Sequence, residues 1–393
     1  MKILFLTFYY PPDLSAGSFR ASAVAEALLP MLPPSASLDV LTTAPNRYIS
    51  YSQKVPQIEE SGQLKIRRIP LPTHRSDLVG QSRAFLHFAR NVREITRHHA
   101  YDLVIATSSR LMTAALGSRV AKRMGAKLYL DIRDIFVDTI GDVFPRFAWG
   151  LKPSLSVLER RTMLRADRIN LVSRGFEGYF RARYPNQAYS WFTNGIDREF
   201  VEADWSDYSA PSGARPLRIV YAGNIGEGQG LHVILPGLGS LLGSRGEFRI
   251  IGDGGRKQAL IGALKERGVD NVQVIAPMSR AALLKEYAQA DVLFLHLNAY
   301  AAFEKVLPSK IFEYASTGKP VWAGVAGYAA KFISAEVSNA AVFAPGNANE
   351  AMRRLETLDL GFHPRLEFVR KYDRGNIAKA MAEDILTLLA DRA

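Results

Sequence analysis

The chain has 393 residues, 48% of them apolar, with no cysteine and a formal net charge of +12. That length and apolar content support two packed domains and exclude a disordered chain, while the missing cysteine excludes disulfides, thiolate metal sites and a cysteine nucleophile and suits a reducing, cytoplasmic compartment. The charge is uneven, 28 Lys and Arg against 19 Asp and Glu in residues 1–205 and 22 against 19 in the remainder, so the basic partner surface is expected in the first half.

In chain order, the apolar run Ile3 to Phe8 predicts a buried first strand, stopped by Pro11-Pro12 without a small-residue cleavage site. No apolar run approaches the roughly 20 residues that span a bilayer. A helix is predicted near Ser18 to Leu29, then strands at Leu38–Thr42, Leu64–Ile69, Leu103–Ala106, Lys127–Asp131 and Ile169–Val172. The alternation of strands and helices is βαβ rhythm, which predicts a doubly wound sheet. Two intervening helices are basic and amphipathic: Arg83-Ala84-Phe85-Leu86-His87-Phe88 running to Arg97-His98-His99, and Phe147-Ala148-Trp149 leading into Leu155, Leu158, Arg160, Arg161, Leu164 and Arg165. Their composition suits an interfacial helix, and it equally suits a helix whose aromatic side faces the core beneath solvated arginines.

After a loop at Asp204–Pro216 with a linker-like Ser209-Ala210-Pro211-Ser212-Gly213, a second sheet is predicted. Its strands are Leu217–Ala222, Glu247–Gly252, Val272–Ile275, Val292–Leu295, Val321–Ala323 and Ala341–Phe343. The fold class is therefore α/β, with two Rossmann-like domains facing each other and ligands at the carboxyl ends of the strands.

The segment Leu307 to Val321 concentrates binding chemistry on one short helix. Ser309 after Pro308 reads as an N-cap, Gly318 as the αL stop and Pro320 as a block to continuation. The helix start and the Lys310 ammonium favour a diphosphate, and Glu313, one turn deeper on the same face as Ser309, is placed to accept from ribose hydroxyls. Gly223-Asn224-Ile225-Gly226, directly after a predicted strand, supplies a second phosphate-approaching turn through its glycines, with Arg256 on the Gly252-Asp253-Gly254-Gly255 loop. In the first half, Arg20 opens a helix behind Ala16-Gly17, and Asp131-Ile132-Arg133-Asp134 gathers two carboxylates and an arginine at a strand end. A carboxylate there suits proton transfer from an acceptor hydroxyl, with Arg133 holding its neighbours ionised. An ordinary capped helix and a structural ion-pair cluster are the plainer readings of the two groups.

In this order, and with Asn194-Gly195-Ile196-Asp197 at mid-chain, these motifs resemble the GT-B glycosyltransferase family 4, in particular its bacterial lipopolysaccharide and capsule branch. The likeness runs from Met1 through the last helix. It implies an acceptor-side domain at 1–205, a nucleotide-sugar domain at 206–371, and a C-terminal helix, 372–393, that crosses back to the first domain. It further implies retaining transfer from a UDP- or GDP-linked sugar, without metal or cofactor, to a lipid-linked saccharide at the inner face of the membrane. Gly17 and Arg20 are expected beside the donor, and Val274 to Pro277 beside its base. The chain departs from the family's pattern at Asn224 and Gln229, where many members carry Arg and Lys, and at Lys305, where the family has its first acid. Glu304 as a substitute, or Lys305 facing an anionic sugar, are the two readings of that departure. An epimerase of the same shape and a basic nucleic-acid-binding protein are the alternatives, although no aromatic-basic RNA motif is present and nucleic acid is not an expected partner.

Overall fold

The structure, a computed structural model, describes residues 1–46, 55–72, 78–108, 111–138, 145–211, 213 and 215–390. Ser212 of the predicted linker and the side chains of Phe147 and Trp149 lie outside the described residues. The chain divides into two units, Met1–Asn194 with Arg374–Ala393, and Gly195–Asp373.

The first unit runs β1 (Lys2–Leu6), α1 (Ala16–Leu28), β2 (Ser37–Thr43), β3 (Ile58–Ser61), β4 (Leu64–Ile69), α2 (Leu78–Ile95), β5 (Leu103–Ser108), α3 (Leu111–Met124), β6 (Lys127–Ile132), α4 (Pro145–Met163), β7 (Arg168–Leu171), α5 (Glu177–Arg183) and β8 (Tyr189–Ser190). These strands form one sheet in the order β3-β4-β2-β1-β5-β6-β7-β8, parallel except for the β3–β4 hairpin pairing. Ile3, Leu4, Phe5 and Leu6 are all buried, as a central parallel strand covered on both faces requires. α1 begins at Ala16, earlier than the predicted Ser18, because Ser15 is the cap: its hydroxyl accepts from the Ser18 N–H at 3.2 Å.

The second unit runs α6 (Arg198–Val201), β9 (Leu217–Asn224), α7 (Leu231–Leu242), β10 (Gly246–Asp253), α8 (Lys257–Glu266), β11 (Val272–Ile275), α9 (Arg280–Gln289), β12 (Val292–His296), α10 (Lys310–Ser316), β13 (Val321–Gly324), α11 (Gly327–Glu336), β14 (Ala340–Phe343), α12 (Ala348–Glu356) and α13 (Leu366–Tyr372). Its six parallel strands are ordered β11-β10-β9-β12-β13-β14 around a core of Phe248, Phe294, Trp322 and Phe343. Strand order reverses between β9 and β12, so the loops after these two strands diverge and open a crevice at their carboxyl ends.

The last helix, α14 (Arg374–Ala390), belongs to the first unit and packs on α1, with Met381, Ile385 and Leu388 in the same core as Val24 and Leu28. Asp384 pins it to the sheet by accepting from Ser190 Oγ at 2.6 Å, Arg168 Nη1 at 2.7 Å and Tyr129 Oη at 3.1 Å. The helix expected from residue 372 is α14, which starts at Arg374, Tyr372 being instead the last residue of the preceding helix α13. The first division between units falls after Asn194, upstream of the expected 205/206 boundary. The intervening segment packs on the second unit: Phe200 of α6 lies against Tyr287 of α9, and Tyr208 Oη donates to the carbonyls of Asp291 and Leu360.

Candidate active site

In the second unit the carboxyl ends of β9 and β10 touch through glycine. Gly223 and Gly252 take φ of 155° and 158°, and a Cβ on Gly252 would lie 1.8 Å from the Gly223 carbonyl oxygen. No side chain fits there. A Cβ on Gly223 would lie 2.3 Å from Cε of Lys310, so the lysine stem lies directly over the end of β9. This brings together Gly223 and Lys310, which are far apart in the chain.

The rest of that loop is occupied with its own shape. Asn224 Nδ2 donates to Gln229 Oε1 at 2.8 Å, and the Gly226 N–H reaches the same oxygen at 3.3 Å. A Cβ on Gly226 would collide with the Asn224 amide at 2.3 Å. Arg256 is half-exposed and paired with Glu227, which also accepts from Tyr300 Oη at 2.6 Å. Asn224 and Arg256 thus help to hold the loop together in this structure.

Helix α10 is fixed from three sides. The Ala222 N–H, at the end of β9, donates to Tyr314 Oη at 3.1 Å. Arg365 donates to the carbonyls of Ala315, Lys319 and Ser338 at 2.9, 3.0 and 2.6 Å, which ties the helix end to β13 and β14. Gly318 takes the αL conformation expected of it, with φ of 70° and the Phe362 ring packed over it. The N-cap expectation is corrected: Ser309 has helical φ and ψ of −60° and −27° and its side chain makes no capping bond. Following Pro308 in a tight turn, Ser309 lacks the extended backbone that a side-chain cap needs.

Four charges meet at this helix. Arg280 Nη2 donates to Asp197 Oδ2 at 2.5 Å, Arg280 Nη1 lies 3.5 Å from Glu313 Oε1, and Lys310 Nζ lies 3.8 Å from Glu313 Oε2. Tyr287 Oη approaches Glu313 Oε2 at 3.4 Å, and the Arg280 guanidinium sits over the Phe200 ring at 4.7 Å. Burial alone would lower Arg280, but Glu313, Asp197 and Glu199 outweigh it and raise its pKa. For Lys310 burial dominates and pulls the ammonium below its ordinary value against the attraction of Glu313. At 3.8 Å that attraction is not a hydrogen bond. Among the described residues the Lys310 ammonium has no hydrogen-bond acceptor, although its side chain is only 21% exposed. Asp197 lies in the Asn194-Gly195-Ile196-Asp197 motif, which carried its signal, whereas nothing in the sequence singled out Arg280.

Glu304 and Lys305 lie in the tight turn 301–305 after β12. Glu304 is exposed, and its backbone is set by Gly327, at φ 60°, where a Cβ would lie 2.1 Å from the Glu304 carbonyl oxygen. The same turn borders a small cavity of about 100 Å³ lined by Asn298, Tyr300, Phe303, Ala326 and Pro345. Beneath these loops His296 is fully buried, its Nδ1 2.7 Å from the Gln229 carbonyl and its Nε2 accepting from the Gly346 N–H at 3.0 Å. Desolvation takes it down to about 4, so it is the neutral tautomer with the proton on Nδ1.

In the first unit two of the expected residues turn inward. Arg20 forms a bidentate pair with Asp131, at 2.8 and 3.0 Å, and donates also to the carbonyls of Thr193 and Phe192. Asp131 is fully buried and accepts a further bond from Asn170 Nδ2 at 2.7 Å. With both oxygens engaged and no exposed surface, Asp131 is corrected from proton-transfer candidate to internal anchor, and Arg20 from donor contact to its partner. Arg133 and Gly17 do meet: Arg133 Nη1 donates to the Ala16 carbonyl at 3.2 Å and would lie 3.3 Å from a Cβ on Gly17. Asp134 is exposed beside them at the end of β6.

Residues 25–189 match the family model described as a glycosyl transferase 4-like domain, and residues 209–359 match that of the glycosyl transferases group 1. A curated relative from Escherichia coli K12, which carries the name colanic acid biosynthesis glycosyl transferase WcaI, is 26% identical over 230 residues, 55% of this chain and 56% of that protein. The match thus spans about half the length of that relative. Among solved structures, sucrose-phosphate synthase from Thermosynechococcus elongatus superposes over 100% of both chains with a TM-score of 0.76 and 14% identity. Anabaena Alr3699/HepE in complex with UDP covers 100% of this chain and 99% of its own, with a TM-score of 0.59 and 16% identity.

Proposed function

The chain belongs to the family 4 glycosyltransferases of GT-B fold, and from that premise we propose that it moves a sugar from a nucleoside-diphosphate donor to an acceptor hydroxyl with retention at the anomeric carbon. The observation that carries the donor reading is Lys310: a partly buried ammonium without a protein hydrogen-bond acceptor among the described residues, set over Gly223 at the switch point of a parallel sheet. A diphosphate supplies the missing acceptor. Glu313, whose nearest donors stand at 3.4 Å or more, has lone pairs left for ribose hydroxyls.

The bond from the anomeric carbon to the diphosphate oxygen breaks as the bond to the acceptor oxygen forms, and the acceptor proton leaves with the departing diphosphate. Lys310 stabilises the negative charge that grows on that leaving group. Asp134, the exposed carboxylate of its strand end, is the acceptor-side residue, oriented by Arg133. Glu304 and Lys305 border the sugar. The acceptor is a lipid-linked saccharide of surface polysaccharide at the inner face of the membrane, a reading supported by the colanic acid relative and by the basic first unit.

Thermal-shift measurements with UDP, GDP, TDP and ADP test the donor class, since a ligand selective for the folded state raises the melting temperature. Incubation with a panel of nucleotide sugars then tests the reaction. Release of nucleoside diphosphate dependent on a saccharide acceptor supports transfer. A new sugar isomer without release makes the protein an epimerase, and inertness with nucleic-acid retention makes it a binding protein.

A further inference from the structure

Helices α2, α3 and α4 follow successive crossovers to β5, β6 and β7 and pack side by side on one face of the first unit's sheet. Each exposes three lysine or arginine side chains among the described residues, against a single exposed acid, Glu94. Helical spacing puts the cations on the outer stripes: Arg90 and Arg93 on α2, Arg119 and Lys122 on α3, Arg160 and Arg161 on α4. Among the described residues no acid pairs with any of these six. The resulting field is of one sign across three helices.

The aromatic side chains of α2 are not part of this surface. Phe85 and Phe88 are buried, with ring centroids 6.3 and 5.5 Å from that of Phe8 at the end of β1. What stands among the cations instead is aliphatic: Leu86, Val157 and Leu164 are 52%, 51% and 53% exposed. Neither phenylalanine ring of α2 is left outward, His87 being the exposed ring of that helix among the described residues, and the helix cannot release its phenylalanine side without opening the core.

We propose that the outer face of α2, α3 and α4 is a docking surface for an anionic lipid bilayer, held by charge on a flat array of helices rather than by insertion of any one of them. Charge complementarity selects the partner, and the scattered aliphatic side chains suit the headgroup boundary. This deepens the surface-polysaccharide reading, on which it rests only for the identity of the acceptor.

The test is sedimentation of the full chain with vesicles of phosphatidylcholine, alone or mixed with phosphatidylglycerol, at low and high salt and without donor or acceptor. The protein is expected to sediment with the mixed vesicles at low salt and to be released by high salt. Arg160→Gln with Arg161→Gln, and Arg119→Gln with Lys122→Gln, are each expected to weaken partitioning by about fivefold per cation removed. Because these side chains are exposed, melting temperature and nucleotide affinity should stay at the parental values. Equal sedimentation with neutral vesicles, unchanged partitioning of both double variants, or capture by duplex nucleic acid without vesicle binding overturns the proposal. Loss of nucleotide binding by the parent chain would sink the transferase reading and leave the vesicle result standing.

Discussion

Replacing Lys310 with methionine keeps the stem that lies over Gly223 and removes only the charge. In the free protein this should cost no stability. The ammonium has no hydrogen bond to lose, its one acid partner is 3.8 Å away, and that partner keeps Arg280 at 3.5 Å. In the complex the loss is a charge-assisted hydrogen bond to phosphate, about 1.5–3 kcal/mol, or a ten- to 150-fold weaker Kd. Isothermal titration with a nucleoside diphosphate and with the matching nucleoside separates this from a general disturbance. The diphosphate should weaken by that factor while the nucleoside binds as before. If both weaken alike, or neither changes, Lys310 does not hold phosphate and the site is misplaced.

Other outcomes follow from the same geometry. Asp131→Asn leaves Arg20 buried without its counter-charge and should destabilise the first unit by about 3–5 kcal/mol in urea unfolding. Asp134→Asn, at an exposed position, should leave stability intact and lower kcat in a transfer assay by loosening its hold on the acceptor hydroxyl. Gly223→Ala should weaken diphosphate binding at least as much as Lys310→Met, because its Cβ displaces the lysine stem, and titration calorimetry reads it directly. His296 is held at about 4 in the folded chain against about 6.5 when unfolded. The unfolded state therefore takes up its proton first, and stability present above pH 6.5 is lost as pH falls toward 4, by about 3 kcal/mol. Urea midpoints of the parent and of His296→Gln across that window should show a shallower pH dependence in the variant.

The strands that the sequence announces are those buried on both faces, because continuous apolar runs such as Ile3 to Leu6 and Val292 to Leu295 have no other use in a chain of this length. Edge pairing has no such signature. β3, Ile-Glu-Glu-Ser, is largely exposed and is a strand only because β4 lies beside it, and β8 is two residues long. The site divides the same way. Lys310 and Glu313 share one short helix, and Gly223 follows a strand, so local chemistry marks them. Arg280 bonds Asp197 across 83 positions, and Arg20 bonds Asp131 across 111. A Ser-Arg at a helix start and an arginine behind a glycine turn read alike until the fold decides which of them is sealed inside. The amphipathic pattern of α2 likewise left open which way its phenylalanine side faces, and the contact with Phe8 places that side in the core.

Among the low-exposure cations of the second unit, the hydrogen-bond geometry separates roles that residue type does not. Lys319 is 1% exposed, and its ammonium donates to the Ala288 and Ala290 carbonyls at 2.5 and 2.8 Å beneath the Tyr208 ring. Arg365 is 7% exposed and spreads its donors over three carbonyls. Burial lowers the pKa of each, to about 8 and about 10, yet both have acceptors that make up for lost water and act as internal ties. Lys310 is partly buried, its side chain 21% exposed, and its ammonium has no protein acceptor among the described residues. A protein that only needed to pack this corner would lose little by placing an apolar chain over Gly223, because a partly buried ammonium without a protein acceptor adds no hydrogen bond to the free state. On the proposed donor reading an entering diphosphate supplies that acceptor, so the ammonium contributes to binding what it does not contribute to folding.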